Sequence, residues 1–448
     1  MSLGGWPGHP AHAGRPGLRI AVIGAGWAGL AAAVQAVRQG ARVTLFELAA
    51  QPGGRARQLH TPAGDFDNGQ HILIGAYGHT LALMRQVGAD PDALLLRRPL
   101  LLATPDGRGL ALGAGPAVPA FARAVLGARG WRWADRIALL RASAGWWWRG
   151  FACPPGLTVA QLAARLPAAV RHDLIEPLCV AALNTPAAQA SATVFLRVLK
   201  DALFSGPGAA DLLLPRAPLS ALLPAPAWRW LLAAGADCRT GRRVMSLAAR
   251  PELAPDAPGR QGWQVDGEPF DAVVLASSAK EAARLAAPIN PGWAQTTTAL
   301  RHEPIVTAYL ADVGLRLAQP MLALPVGAQA PAQFVFDLGA LGGETGCFAF
   351  VVSGATPWLA HGLAGCAAQV LQQARQVFAG SFQGTDSAVL RHIGAERRAT
   401  FACTPGLHRP PMAIAPGLVA AGDYIAGPYP ATLEGAVRAG GAAAQALV

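Results

Sequence analysis

Residues Leu18–Arg57, LRIAVIGAGWAGLAAAVQAVRQGARVTLFELAAQPGGRAR, decide the fold. Ile20–Ile23 is the short, β-branched apolar run of a buried parallel strand. Gly24, Gly26 and Gly29 follow in G-x-G-x-x-G spacing. Small residues predict a helix over Leu30–Gln39, closed by Gly40, and Arg42–Phe46 predicts a second strand ending at Glu47. Each part has a physical role. Gly24 permits a tight turn, Gly26 lets the backbone approach a pyrophosphate, and Gly29 lets the helix lie against the sheet. Trp27 and Ala28 share that first turn, whose N–H groups and dipole favour an anion. Glu47 is placed to take the ribose hydroxyls of an adenosine.

The run then continues Gln51-Pro52-Gly53-Gly54-Arg55-Ala56-Arg57. Two glycines admit close backbone approach, and Arg55 is a permanent cation suited to a diphosphate. A terminal acid followed by Gly-Gly-Arg resembles the FAD-binding N-terminus of the flavin amine oxidase and phytoene desaturase superfamily. The resemblance implies that Gly53, Gly54 and Arg55 lie along the pyrophosphate and the flavin edge.

Next comes Asp65-Phe66-Asp67-Asn68-Gly69-Gln70-His71, then Ile72-Leu73-Ile74-Gly75-Ala76-Tyr77, a polar turn feeding a short apolar strand. The D-N-G-Q-H-I-L form is similar to the squalene-associated FAD-dependent desaturases, the hydroxysqualene dehydroxylases of hopanoid synthesis. That likeness implies that Asn68, Gly69, Gln70 and His71 sit close to the flavin ring. The plain reading is a hydrogen-bonded core histidine with Asn68 and Gln70 capping a turn.

The C-terminus carries a matching signal. Gly417–Asp423 predicts a strand ending in Gly422-Asp423, and Glu434-Gly435-Ala436 with Gly440 predicts a closely packed helix. This resembles the flavin-closing motif of the superfamily. It implies that Asp423 binds the ribityl or pyrophosphate region and that the helix start around Thr432 and Leu433 faces the pyrimidine end of the flavin. Cys403 lies in no linker of the covalent type, so non-covalent FAD is expected.

Between these ends, residues 80–225 read as helices broken by prolines. Ala122–Arg149 carries Arg123, Arg129, Arg132, Arg136, Arg141 and Arg149 against Asp135, interleaved with Trp131, Trp133 and Trp146–Trp148. Interleaved Trp and Arg suit an anionic membrane face, although no 3.6-residue period shows through the alanines. A helical cap with solvated arginines is the other reading. Asn184 either faces the cavity or, as the plainer reading, caps a turn. Strands are expected at Arg243–Ala249, Gly262–Val265 and Phe270–Ala276, and in the family a valine at the position of Val244 meets adenine through its backbone. Ile305–Leu310, Gln333–Phe336 and Cys347–Ser353 predict a separate sheet, His361–Phe378 a long helix, and 388–398 a path back to the flavin domain.

The 448 residues are 52% apolar, enough for a large core, with a net charge of +11 carried almost wholly by arginine. No nucleic-acid-binding or metal-ligand pattern appears. The six cysteines show no C-x-x-C spacing and read as reduced cytosolic thiols. Residues 1–17 read as a disordered leader.

The expected architecture is α/β: a discontinuous Rossmann-like FAD-binding domain of the amine oxidase/phytoene desaturase type with a mixed sheet-plus-helices substrate domain. Its segments are 18–78, 216–290 and 391–448 for FAD, 79–215 for a helical substrate or membrane-facing part, and 291–390 for the substrate sheet. The narrower resemblance implies removal of the hydroxyl of hydroxysqualene by hydride from reduced flavin, with His71 as proton donor and Tyr77 and Glu434 behind it. It also implies a long isoprenoid substrate and an upstream squalene- or phytoene-synthase-like partner. A carotenoid-type desaturase and a non-redox prenyl-lipid carrier of the GDP-dissociation-inhibitor type are the alternatives.

Overall fold

The computed structural model describes residues 17–113, 115–250, 262–311, 316–379 and 388–448. Nearly all of the expected leader therefore lies outside the described residues. In chain order, the elements that position the site are β1 (Arg19–Ile23), α1 (Trp27–Arg38), β2 (Arg42–Phe46), α2 (Ala117–Gly127), α3 (Trp133–Trp148), α4 (Ala192–Phe204), β3 (Asp237–Arg239), β4 (Ala272–Leu275), β5 (His302–Ala311), β6 (Met321–Ala323), β7 (Phe334–Asp337), β8 (Cys347–Val352), α5 (Gly362–Val377), β9 (Val389–Phe401), β10 (Ala413–Ala415), β11 (Leu418–Ala420) and α6 (Leu433–Gln445).

The apolar run of β1 lies between two parallel partners, with Ile20 opposite both Val43 and Ala272. The six-stranded sheet has the order β3-β2-β1-β4-β11-β10, so strands from both chain ends and the middle share one sheet. β4 and β11 are parallel neighbours, with Val274 opposite Val419. α1 is buried from Trp27 to Ala36 because it is covered on two sides, by the sheet and by α6. A side chain at Gly440 would collide with the carbonyl oxygen of Ala28, so this helix crossing requires glycine. α1 begins at Trp27 and not at Leu30, with Gly26 as N-cap, because two of the glycines belong to the first turn.

The second sheet is antiparallel, in the order β6-β7-β8-β5-β9. Strand alternation sorts its residues between two faces. Val306, Ala308 and Leu310 pack with Phe348, Phe350 and the α5 residues Cys366, Val370 and Ala374. Ile305, Thr307 and Tyr309 point the other way, into a cavity, with Phe334, Phe336 and Val351 beside them.

Three expectations are corrected. The region 79–215 is not helical throughout: it holds short strands at Leu95–Arg98, Leu101–Ala103, Gly109–Ala111 and Leu212–Pro215, of which the last three place Leu102, Leu110 and Leu212 on the cavity wall. The expected strand Arg243–Ala249 is reduced to Leu247–Arg250, since the carbonyls of Val244 and Met245 accept hydrogen bonds from Arg284 instead of a neighbouring strand. The expected boundary at 390/391 falls inside β9, which pairs with β5 as far as Phe401 and belongs to the second sheet. The strand β3, in register with β2 through Cys238 and Leu45, was not foreseen.

Candidate active site

The glycine-rich loops of the first two strands meet face to face. Gly26 and Gly53 form an isolated parallel bridge, and Gly53 N–H donates to Ala25 O at 2.8 Å. A side chain at Gly54 would begin 3.1 Å from the Gly26 Cα, so the approach leaves no room for one. No side chain caps α1, which leaves its first-turn N–H groups available to an anion. Trp27 is fixed in that turn by its indole N–H donating to Ala56 O at 3.1 Å.

The C-terminal motif closes onto this cradle. Arg55 Nη2 pairs with Asp423 Oδ1 at 2.6 Å, and Arg55 Nη1 donates to Ala399 O at 2.5 Å. Burial works against the guanidinium charge, but Asp423 beside it holds the pKa above the usual arginine value. Thr432 Oγ1 accepts from Gly435 N–H at 3.0 Å and caps α6. Asn68 Nδ2 bridges Arg55 O at 2.9 Å and Glu396 Oε2 at 3.2 Å. His71 Nδ1 lies 3.0 Å from Gly69 O, which fixes the proton on Nδ1.

The wall of one cavity brings together Gly26, Trp27, Ala28, Gly53, Gly54, Arg55, Asn68, Gly69, Gln70, His71, Tyr77, Gly422, Asp423, Thr432, Leu433 and Glu434. Gly24, Gly29, Glu47 and Val244 are not on that wall. Gly24 and Gly29 serve the backbone, Gly24 with φ 107° and Gly29 because a side chain there would strike Gly24 O. Glu47 accepts from Ala25 N–H at 2.7 Å and Ala49 N–H at 2.8 Å, beside the Val244 segment at the carboxyl edge of the sheet.

The expected proton donors need correction. Glu434 is 5% exposed and accepts from Thr80 N–H and Oγ1–H at 2.9 and 2.8 Å and from Arg438 Nε at 2.8 Å. Burial opposes its ionisation, yet His79, Arg438 and Thr80 hold its pKa at about 2. It is an anion that fixes the start of α6 and has no proton to give. Burial, reinforced by Arg55, holds His71 below the usual histidine value despite the Gly69 carbonyl. His71 is therefore neutral at pH 7, and with the proton on Nδ1 its Nε2 is an acceptor. Burial raises the Tyr77 pKa, so that phenol keeps its proton beside Thr432.

The expected substrate sheet forms the floor of the cavity, but sequence reasoning missed the share of it that β9 supplies. His392, Gly394 and Glu396 of β9 face it opposite Tyr309, Thr307 and Ile305 of β5. Among the wall residues of this sheet, Glu396 is the only acid. Tyr309 OH donates to Asp67 O at 2.8 Å, and burial pushes the Asp67 carboxyl up to about 6. Asn184, with φ 47°, is buried and satisfied: it donates to Thr400 Oγ1 and Glu303 O and accepts from Gly354 N–H. It caps the end of the helix before it, ties that helix to the sheet, and is also part of the cavity wall.

Beyond the cradle the wall turns apolar, with Leu102, Leu110, Phe121, Leu139, Trp146, Leu174 and Leu178. The cavity volume is 1170 Å³, above the ~300–1,000 Å³ of ordinary small-molecule sites. Two buried hydroxyls on its wall, Thr307 Oγ1 and Tyr424 OH, have no protein partner, which fits a polar group bound there. The side-chain-free cradle, the uncapped helix start and these orphaned hydroxyls suit a dinucleotide with its ring system at the apolar end. All six cysteines are free thiols, and Cys403 is buried away from this wall. Among the described residues no group of His, Cys, Asp and Glu could hold a metal ion.

The family described as flavin containing amine oxidoreductase matches residues 27–448. A hydroxysqualene dehydroxylase of Sinorhizobium fredii is 28% identical over 95% of this chain and 97% of its own. A zeta-carotene desaturase of Zea mays is 36% identical, but over 20% of this chain and 16% of its own. A crystal structure of an oxidoreductase from Methanosarcina mazei superposes with a TM-score of 0.72 at 16% identity, over 96% of this chain and 100% of that one. The chain belongs to the flavin containing amine oxidoreductase family, and it is an FAD-dependent oxidoreductase.

Proposed function

We propose that this enzyme removes the hydroxyl group of hydroxysqualene to give squalene. The observation that carries the reading is that the glycine cradle and a large apolar wall belong to one continuous cavity. The full-length likeness to hydroxysqualene dehydroxylases supports it. FAD held on the glycine cradle would, in its reduced form, supply the hydride that replaces the hydroxyl, and the hydroxyl would leave as water with a proton passed through the Tyr77 hydroxyl.

The protein must bury an isoprenoid chain, exclude water and tolerate positive charge at the allylic carbon. The leucines and aromatics of the cavity serve the first two tasks. Glu396, held by Asn68 on the floor, supplies a fixed negative charge for the third. His71 Nε2 and the Tyr77 hydroxyl are the acceptor and donor that border the departing oxygen on the cradle side. The chain acts in the cytoplasm, with its substrate handed on by a synthase of the squalene type.

Anaerobically reduced enzyme incubated with hydroxysqualene should yield squalene by mass spectrometry. Turnover of polyene precursors alone would favour the carotenoid-type desaturase reading, which the shorter zeta-carotene desaturase match supports. Membership of an oxidoreductase family removes the non-redox carrier.

A further inference from the structure

α3 carries apolar residues on two opposite sides. At about 100° per residue, Asp135, Leu139 and Trp146 fall on one side, and these three are buried. Trp133, Ile137, Leu140, Ala144, Trp147 and Trp148 fall on the other. Of these, Trp133 is 65% exposed, Ile137 44%, Trp147 59% and Trp148 87%. The absence of a helical period in this stretch has this cause: both faces are apolar, so their contributions cancel.

The other two tryptophans of the cluster are structural. Trp131 is buried with its indole N–H on Asp173 Oδ2 at 2.9 Å, and Trp146 packs in the core. The exposed stripe has no covering element among the described residues. It runs directly into the cavity, because Leu140, Ala144 and Trp147 are also cavity wall. The same rim includes Val118 of α2, 54% exposed, and Phe204 of α4, 41% exposed, whose ring meets Phe151 at 5.4 Å. The cavity therefore opens at an apolar surface.

The charge around the stripe is one-sided. Arg132, Arg141 and Arg149 are exposed on or beside α3, while Asp135, the only acid between residues 117 and 149, is buried. Asp135 accepts from the Arg132 backbone N–H at 2.9 Å, and Arg136 lies over the Trp133 ring at 4.9 Å while donating to Leu126 O and Ala128 O. We infer that the α3 stripe docks on the surface of an anionic phospholipid bilayer, with the indoles at headgroup depth, the arginines on phosphates and the cavity mouth facing the acyl chains. Arginines that surround exposed aromatics favour an anionic headgroup layer over a neutral protein partner. No helix among the described residues is long and apolar enough to cross a membrane, so contact is made on the surface. The delivery of substrate through this mouth rests on the proposed lipid substrate; the docking does not.

The test uses the full-length FAD-loaded chain and extruded vesicles of phosphatidylcholine, with and without phosphatidylglycerol, in a co-sedimentation assay at low and high salt. The wild-type chain should pellet with the anionic vesicles and be partly released by salt. The combined change Trp133→Ser, Ile137→Ser and Trp148→Ser, which touches no cavity-wall residue, should weaken this binding by about tenfold or more. Arg132→Gln with Arg141→Gln and Arg149→Gln should weaken it on anionic vesicles and abolish the salt dependence. An unchanged flavin absorption spectrum would show that each variant is folded. A wild-type chain that stays in solution with both vesicle types overturns the inference, as does a serine variant that pellets equally well. So does a wild-type dimer that the serine variant converts to monomer without vesicle binding, which assigns the stripe to a second copy. Turnover of detergent-dispersed hydroxysqualene reports on the proposed reaction separately, so either reading can fail alone.

Discussion

Arg55 and Asp423, 368 residues apart in the chain, form an ion pair of 2.6 Å at the centre of the cofactor cradle. The pair joins the two glycine-rich chain ends by a charge contact, whereas the sequence motifs assign each residue to the nucleotide separately. Asp423 is 8% exposed, while Arg55 is 40% exposed toward the cavity. Solvent reaching the exposed side of Arg55 therefore screens part of the interaction. Asp423→Asn should weaken FAD binding by about tenfold, equivalent to ~1.4 kcal/mol, measured by fluorescence of flavin released on dilution. Equal FAD retention in the variant would show that the pair does not order the cradle.

Glu434 makes a prediction of the opposite kind, about stability and not chemistry. Its pKa of about 2 in the folded chain lies below the ~4.3 of an unfolded glutamate. Its contribution is thus fully present above about pH 4.3 and is lost as pH falls through about 2. Glu434→Gln leaves Arg438 and the Thr80 donors with a weaker acceptor and should cost roughly 2–3 kcal/mol at pH 7. Urea unfolding of both forms at neutral pH and near pH 3 checks this; the difference should shrink on acidification. A difference that grows on acidification would contradict the assigned ionisation.

Gly440 is where the last helix touches the first. Gly440→Ala drives a methyl into the Ala28 carbonyl and should cost ~1–3 kcal/mol. Because Ala28 belongs to the same turn as Gly26 and Trp27, FAD retention should fall with stability. Gly78→Ala is the control: an added methyl there meets nothing within 4 Å, and its effect should stay within ~0.5 kcal/mol. Thermal unfolding with and without added FAD separates the two variants.

The two ends were legible because their chemistry is written in the backbone. Tight approaches of backbone to backbone exclude side chains, so glycines at fixed spacing betray them, as at Gly29, Gly54 and Gly440. The middle resisted for physical reasons. α3 is apolar on two faces, which erases its period. β9 is a polar edge strand whose residues are mostly half-buried, so Arg391, Glu396 and Arg398 read as a connection and not as the wall of a site. Glu434 and His71 are legible as site residues by position, but their protonation follows from surroundings that only the fold supplies: His79, Arg438 and Thr80 for Glu434, and burial beside Arg55 for His71.

Glu396 supports the last prediction, which bears on the proposed reaction. Removing a hydroxyl as water leaves positive charge on the carbon until hydride arrives, and a preorganised anion lowers that barrier most when water is excluded. Glu396 is the only acid among the wall residues of the sheet, and Asn68 fixes its Oε2 at 3.2 Å beside the cradle. Glu396→Gln keeps the shape and the Asn68 contact but removes the charge. It should lower turnover of hydroxysqualene about 10²–10³-fold while leaving FAD retention and the flavin spectrum unchanged. His71→Asn keeps a polar group near Gly69 and should have a smaller effect, because neutral His71 supplies no charge to lose. Single-turnover squalene formation by the two reduced variants measures the contrast. If Glu396→Gln turns over like wild type while His71→Asn is inactive, the charge on the floor is irrelevant and the imidazole carries the chemistry.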